Sequence, residues 1–191
     1  MIVKFVFLGG TKMSNLVNGN DITKVFKYVQ QVFKECQQLI YKTDNLMAPD
    51  WKVVYGSRIT RDVTSSLYDP NRWLVESIFR IYESEDRNVN KGITISFWGD
   101  DELEIVEPII TVGKITYTNI DKRSHWDLWN AWFRWEDDNK ENEYKIDGSI
   151  NVFKSKQCEF ISEAKLFSYP LVSISDDAEL ENKIISVLKA L

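Results

Sequence analysis

The period at which apolar residues recur changes near residue 90, and this change limits the folds open to the chain. Earlier, apolar residues are spaced by three and four, which predicts a helix from a capping Asp21 to about Lys42. The apolar face of that helix comprises Ile22, Val25, Phe26, Val29, Phe33, Cys36 and Ile40. Beyond residue 90, apolar and polar residues alternate, which is the two-residue period of a strand.

Other elements of the first half follow from local signals. The β-branched and aromatic run Ile2–Leu8 predicts a strand, and Trp51–Tyr55 is compatible with a short one. Asp69 followed by Pro70 is typical of a helix start, which predicts a second helix to about Tyr82. Its inward residues would be Leu74, Ile78, Ile81 and Tyr82.

The second half is predicted to be a sheet closed by a helix. Predicted strands cover Ile93–Phe97, Ile109–Tyr117, Trp126–Trp135, Tyr144–Phe153 and Phe160–Phe167. Trp126–Trp135 is assigned to a strand because a helix would spread its tryptophans halfway around the cylinder. We expect it to form an antiparallel hairpin with Tyr144–Phe153, and Gly113 to mark a bulge or a close approach.

Asp176 and Glu179 form a capping box that begins a terminal helix. The apolar residues of this helix are Leu180, Ile184, Val187, Leu188 and Leu191. The order of elements predicts one α+β domain over residues 1–191, mainly an antiparallel sheet with two N-terminal helices and a C-terminal helix packed on it.

Composition narrows the class of protein. With 43% apolar residues in 191, the chain can bury a substantial core. No apolar run approaches the roughly 20 residues of a membrane-spanning helix, and no secretion signal precedes the two cysteines. We therefore expect a cytoplasmic protein with reduced thiols and no membrane partner.

Charge is uneven along the chain. Residues 1–99 carry a net charge of +3 and residues 100–191 a net charge of −8. Two acidic segments, 99–107 and 136–143, hold five carboxylates each against a single lysine, Lys140. Such segments indicate either a solvated surface or steering toward a basic partner, and they argue against direct binding of nucleic acid.

The chain carries few residues suited to catalysis. His125 is its one histidine, which excludes metal sites that need two imidazoles. Cys36 falls on an apolar helix face, and Cys158 lacks a nucleophile signature. Gly9-Gly10-Thr11-Lys12 does not match a phosphate-binding loop and favours a turn. We expect no enzymatic activity, no metal and no cofactor.

Two alternatives remain open at this stage. A metal-dependent hydrolase of restriction-nuclease type would use Asp147, Glu163 and Lys165, the last two in the carboxylate–x–lysine spacing. A structural or assembly protein would use the aromatic residues of the predicted hairpin as an oligomer contact.

The segment Gly92-Ile93-Thr94-Ile95-Ser96-Phe97-Trp98-Gly99-Asp100 resembles bacterial immunity proteins of polymorphic toxin systems, and the Immunity protein 52 family in particular. The similarity covers about the first 115 residues. Its elements correspond to Ile2–Leu8, Asp21–Lys42, Asp69–Tyr82, Gly92–Trp98 and the strand around Gly113. The chain departs from the pattern at Gly99, where the family would have Asn.

The resemblance implies a protein that binds and blocks a cognate toxin without catalysis of its own. The acidic segments would contact basic residues of the toxin, and Trp132 or Trp98 would supply an apolar anchor. The predicted partner-binding residues are Asp100, Asp101, Glu102, Glu104, Trp132, Glu136, Asp137, Asp138 and Glu141.

Overall fold

The structure, a computed structural model, describes residues 19–59, 67–68, 73–83, 88–97, 107–124, 127–128, 144–154 and 160–191. Its helix and strands are α1 (Gly19–Met47), β1 (Lys52–Val53), β2 (Ser77–Glu83), β3 (Val89–Ser96), β4 (Ile109–Tyr117), β5 (Ile150–Phe153) and β6 (Ile161–Pro170). Short 3-10 turns lie at Ile120–Lys122 and Leu171–Ser173. A C-terminal helix, α2, runs through Asp177–Leu180, a π-helical turn at Glu181–Ile185, and Ser186–Ala190.

The chain divides into two compact units, Met1–Lys42 and Thr43–Leu191. Most of α1 belongs to the first unit, and its last residues, the sheet and α2 belong to the second. Within its described residues, the second unit contains six strands in the order β1-β2-β3-β4-β6-β5, every neighbouring pair antiparallel. The predicted α+β class with a mainly antiparallel sheet is therefore confirmed, and β4 has the predicted bounds.

The predicted second helix, Asp69–Tyr82, is wrong at its described end, because Ser77–Glu83 forms strand β2. This strand lies between β1 and β3, and side chains on both of its faces are buried, including Ile78, Phe79 and Tyr82. Leu74, Ile78 and Ile81 are spaced by four and three residues, which imitates the apolar face of a helix. Leu74, predicted to point inward, is 58% exposed.

Face A of the sheet, which carries Tyr82, Lys91 and Lys114 in one cross-strand row, packs against α2. Lys91 Nζ donates to the carbonyl of Leu188, and Lys114 Nζ donates to that of Leu191. The last carbonyls of a helix lack partners inside the helix. These lysines supply the hydrogen bonds that the carbonyl groups would otherwise lack. The predicted C-terminal helix packed on the sheet is confirmed.

Side chains form hydrogen bonds at two helix ends of the second unit, the start of α2 and the end of α1. At the start of α2, Asp176 accepts a hydrogen bond from the backbone N of Glu179 at 2.9 Å, which confirms the predicted cap. At the end of α1, Asp44 accepts from Arg80 Nε at 2.9 Å and from the Tyr82 hydroxyl at 2.8 Å. A partly buried ion pair of this kind is costly to break from one side, because the remaining charge loses its partner.

Face B, the opposite face of the sheet, has a hollow at its centre. Gly92 of β3 lies directly opposite Gly113 of β4, so two neighbouring positions carry no side chain. Leu128 fills the space, and a Cβ added to Gly92 would lie 2.5 Å from its Cδ1 and 2.7 Å from the Arg80 carbonyl oxygen. The close approach predicted at Gly113 is confirmed, since a Cβ there would lie 2.6 Å from the Lys165 carbonyl oxygen.

The predicted strand Trp126–Trp135 is wrong at its two described residues, Asp127 and Leu128, which are helical. Ser124 begins this turn: its carbonyl accepts from Asp127 N at 3.2 Å, and its own N–H donates to Asp127 Oδ2 at 2.7 Å. The rest of the segment lies outside the described residues. Of the predicted partner strand Tyr144–Phe153, only Ile150–Phe153 is a strand, and it pairs with β6.

The apolar face predicted for the first helix is buried in part. Cys36 and Ile40 are buried, and burial raises the pKa of the Cys36 thiol to about 11, as expected for a core residue. Val25 and Phe26 are both 59% exposed. The helix also continues beyond Lys42 to Met47, and the predicted strand Ile2–Leu8 lies outside the described residues.

In the described ranges, no helix combines the length and apolar character needed to cross a membrane.

We predict that Gly92→Ala destabilises the fold by about 1–3 kcal/mol, the usual cost of overpacking a core. The added methyl collides with the Arg80 carbonyl as well as with Leu128, so a smaller residue at 128 cannot relieve the whole strain. Urea unfolding measures the effect. Gly19→Ala is the control, since a Cβ there meets nothing within 4 Å. Equal stability of the Gly92 variant and the wild type would contradict the packing described here.

Candidate functional site

All nine predicted partner-binding residues lie outside the described residues. They are Asp100, Asp101, Glu102, Glu104, Trp132, Glu136, Asp137, Asp138 and Glu141. His125, Cys158, Trp98 and the Gly9-Gly10-Thr11-Lys12 segment lie outside them as well. The structure does describe residues on the flanks of both acidic segments.

The first acidic segment connects β3 to β4. These strands pair as far as Ser96 opposite Ile109, so the connection leaves and re-enters the sheet at one end. Phe97 N donates to the Glu76 carbonyl at 2.9 Å just before the segment, and Pro108 accepts from Leu171 N at 2.8 Å just after it. Because β6 ends at Pro170, we call this end of the strands the Pro170 end.

The second acidic segment is followed by Tyr144, which is held at the same end. Its hydroxyl lies 2.7 Å from Ser168 Oγ, and Ser168 Oγ lies 2.7 Å from Thr111 Oγ1. Thr111 and Ser168 are register partners in β4 and β6, two residues from Ile109 and Pro170. Glu107, which ends the first acidic segment, and Tyr144, which follows the second, therefore both lie at the Pro170 end.

The turn between Tyr144 and β5 is fixed by its own hydrogen bonds. Asn151 accepts from Lys145 N at 3.0 Å and donates to the Lys145 carbonyl at 2.9 Å. Asp147 accepts from Ser149 N at 2.8 Å, and hydrogen bonds from Ser149 lower the pKa of this fully exposed carboxyl. Gly148 has a φ of 83°, a backbone conformation that residues with a side chain rarely adopt. The turn thus holds a charged carboxylate at the Pro170 end.

The three residues proposed for a hydrolase are not brought together. Glu163 Oε1 lies 3.5 Å from Lys165 Nζ, so these two form an ion pair. Asp147 precedes Gly148, whose N–H donates to the Ser168 carbonyl, five residues along β6 from Glu163. At about 3.3 Å per residue, that separation is about 17 Å. Among the described residues, no three metal-ligating side chains of His, Cys, Asp or Glu lie together.

A cleft lies at the other end of the sheet, where β2 finishes at Glu83. Its volume is about 580 Å³, and it is lined by Val54, Tyr55, Glu83, Ile120, Asp121 and Arg123. Arg123 Nη1 forms an ion pair with Glu83 Oε2. Val54, Tyr55 and Ile120 pack against the buried core on face B, so one side of the cleft is apolar and the other charged.

A buried carboxyl lies beneath this cleft. Asp127 is 1% exposed, and its Oδ2 accepts from the Tyr117 hydroxyl at 2.8 Å and from Ser124 N at 2.7 Å. Its Oδ1 has no hydrogen-bond partner within the described part of the chain, nor does the buried side-chain amide of Asn90. Burial raises the pKa of Asp127, and burial followed by the charge of Asp127 raises the pKa of Tyr117 and of Tyr55.

Sequence reasoning did not identify the residues of this cleft. The usable signal was Ser124-x-x-Asp127, the spacing of a helix-capping box, which predicts a helical start instead of a strand. It would have placed Asp127 beside the backbone of Ser124. The contacts of Tyr55, Glu83 and Tyr117 depend on strand order and carry no local signal.

Comparison with known proteins adds no relative: no family model, curated protein or solved structure matches the chain. The resemblance to the Immunity protein 52 family stays a prediction.

We predict that Asp127→Asn changes how stability depends on pH. The carboxyl has a folded pKa above its ordinary value of 3.8, so the stability it contributes in the protonated form is lost as pH rises through the raised pKa. The wild type should therefore lose free energy of unfolding relative to the variant as pH rises from the ordinary carboxyl pKa of 3.8 through the raised pKa, by ~1.4 kcal/mol per unit of pKa difference.

Denaturant unfolding of both proteins across that range measures the difference. Asp147→Asn is the control with the opposite sign, because the pKa of Asp147 is lowered in the folded protein. A difference between wild type and Asp127→Asn that stays constant with pH would contradict the prediction.

Proposed function

We propose that this chain is a protein-binding inhibitor, an immunity protein that binds and neutralises a cognate bacterial toxin in the cytoplasm and has no catalytic activity. One observation carries the proposal: Glu107, which ends the first acidic segment, and Tyr144, which follows the second, lie at the Pro170 end of one sheet. Two acidic segments attached at one end can act on a single partner.

Covalent connection supports this argument for the predicted site residues. A fully extended chain spans at most about 3.6 Å per residue. Glu104 is three residues from Glu107, and Glu141 is three residues from Tyr144, so each is within about 11 Å of its described neighbour. Asp137 and Asp138 are within about 25 Å of Tyr144. These distances are comparable with the dimensions of one standard interface of roughly 1,600 Å².

Further carboxylates of the described residues add to the negative charge at this end. Glu107, the last residue of the first segment, is exposed, and Asp147 keeps its charge in the turn that follows the second segment. Like charges that share one end raise the local potential and increase the encounter rate with a basic protein.

The partner best suited to this surface is an enzyme with lysines and arginines around its substrate cleft. A toxin that acts on nucleic acid has this property, because phosphate binding requires clustered basic residues. In the proposed complex, acidic side chains occupy that basic surface, and Trp132 or Trp98 provides the apolar anchor that a polar rim surrounds. Inhibition would follow from exclusion of the substrate.

The test uses the protein encoded by the adjacent reading frame as the binding partner. We expect tight binding whose association rate falls as salt rises. The double variant Asp137→Asn with Asp138→Asn should slow association about tenfold at low salt, because it removes two steering charges. Stopped-flow measurement at several salt concentrations gives the rates, and growth during co-expression reports neutralisation.

Asp50→Lys is the matched control, since it changes the net charge by the same two units. Asp50 precedes Lys52, which pairs with Glu83 at the far end of the sheet, and it is exposed. If both variants slow association equally, overall charge and not the acidic segments controls the encounter. Association rates that do not depend on salt would contradict the electrostatic mechanism.

A further inference from the structure

Two exposed apolar side chains lie in turns at the Pro170 end of the strands. Val172 is 76% exposed in the 3-10 turn Leu171–Ser173, which directly follows β6. Ile146 is 44% exposed in the turn that precedes β5. Single exposed apolar residues are common on protein surfaces. These two are of interest because contacts of the described residues hold both turns and bring them together.

Hydrogen bonds hold the turn that carries Val172. On one side of it, Leu171 N donates to the Pro108 carbonyl at 2.8 Å. On the other side, Lys183 Nζ of α2 donates to the Ser173 carbonyl at 3.0 Å. The backbone of Val172 is therefore held in place before any partner arrives. Binding at such a residue loses less conformational entropy than binding at a flexible one.

A short series of contacts connects this turn to the one that carries Ile146. Lys183 Nζ lies 5.8 Å from the centroid of the Tyr169 ring. The same ring packs against Gly148, where an added Cβ would lie 2.4 Å from Tyr169 Cε1. Gly148 is two residues from Ile146, and Lys183 contacts the residue after Val172. Val172, Ile146 and Tyr169 therefore belong to one surface, which we call the turn patch.

Carboxylates lie on both sides of the turn patch. Asp147 is fully exposed in the turn before β5. At the start of α2, Glu179 Oε2 lies 2.8 Å from Lys183 Nζ, and Asp176 accepts from Glu179 N at 2.9 Å. Lys145 is an exposed cation in the same region, and Lys183 is already paired. Because both acidic segments are attached at this end as well, the patch is complementary to a basic protein with an apolar depression.

We propose that the turn patch is the apolar anchor by which this chain docks on its toxin, an inference that rests on the proposed function. Val172 enters an apolar depression of the toxin, and Ile146 packs at its side. The carboxylates around them pair with basic residues at the rim of that depression. An apolar centre surrounded by a polar rim is the usual anatomy of a protein interface.

The experiment measures association and dissociation rates of the full-length protein with the protein encoded by the adjacent reading frame. Val172→Ala removes two methyl groups from the contact, so dissociation should be about tenfold faster. The association rate and its dependence on salt should stay as in the wild type, because no charge changes. Ile146→Ala should change dissociation in the same direction.

Val25→Ala is the matched control, since Val25 is 59% exposed in the other compact unit and loses the same two methyl groups. It should dissociate as the wild type does. Thermal unfolding establishes that each variant is folded. Val172→Thr keeps the β-branched shape, and it gives a second measurement of the lost apolar contact if Val172→Ala is destabilised.

The outcomes separate this anchor from the proposed function. If the wild type binds and the Val172 variants dissociate no faster than Val25→Ala, the anchor is wrong and the proposed function stands. If the wild type does not bind, the proposed function fails and the anchor fails with it. A wild-type dimer in light scattering that Val172→Thr dissociates would assign the patch to a second copy of this chain, which also overturns the proposal.

Discussion

The packing of Leu128 into the glycine-lined hollow of face B joins the segment that follows β4 to the centre of the sheet. Gly92 and Gly113 face each other across β3 and β4, so the sheet offers a depression that one branched side chain fills. Leu128 is 1% exposed there, and Asp127 beside it is fixed beneath the cleft.

On face A, two lysines of the sheet donate hydrogen bonds to the last carbonyls of α2. Lys91 is 5% exposed in a central strand, a position where lysine is normally costly. It donates to the Leu188 carbonyl and lies 4.2 Å from the centroid of the Trp51 ring, so the charge is compensated on two sides. Because Lys114 does the same for Leu191, the last turn of α2 is fixed to the sheet by side chains of neighbouring strands.

Sequence periodicity identified the elements whose two faces differ. β6 shows the alternation of a half-buried strand, and the Asp176 cap is a local signal, so both were predicted correctly. β2 was missed because Leu74, Ile78 and Ile81 follow the spacing of a helix after the Asp69-Pro70 start signal. Asp127-Leu128 was missed because tryptophan spacing outweighed the capping box at Ser124. Charge alone pointed to the acidic segments. That their neighbours lie at one end depends on β6 pairing with β4, a long-range contact with no local signal.

The two ends of the sheet differ in how their carboxyl groups respond to protons. Asp147 is exposed and accepts hydrogen bonds from Ser149, which lowers its pKa, whereas Asp127 is buried, which raises its pKa. As pH falls, Asp127 is therefore protonated before Asp147, and the cleft loses its buried charge while Asp147 keeps its own at the Pro170 end. A property that depends on ionised Asp127 is therefore lost at a higher pH than the charge that Asp147 contributes at the Pro170 end.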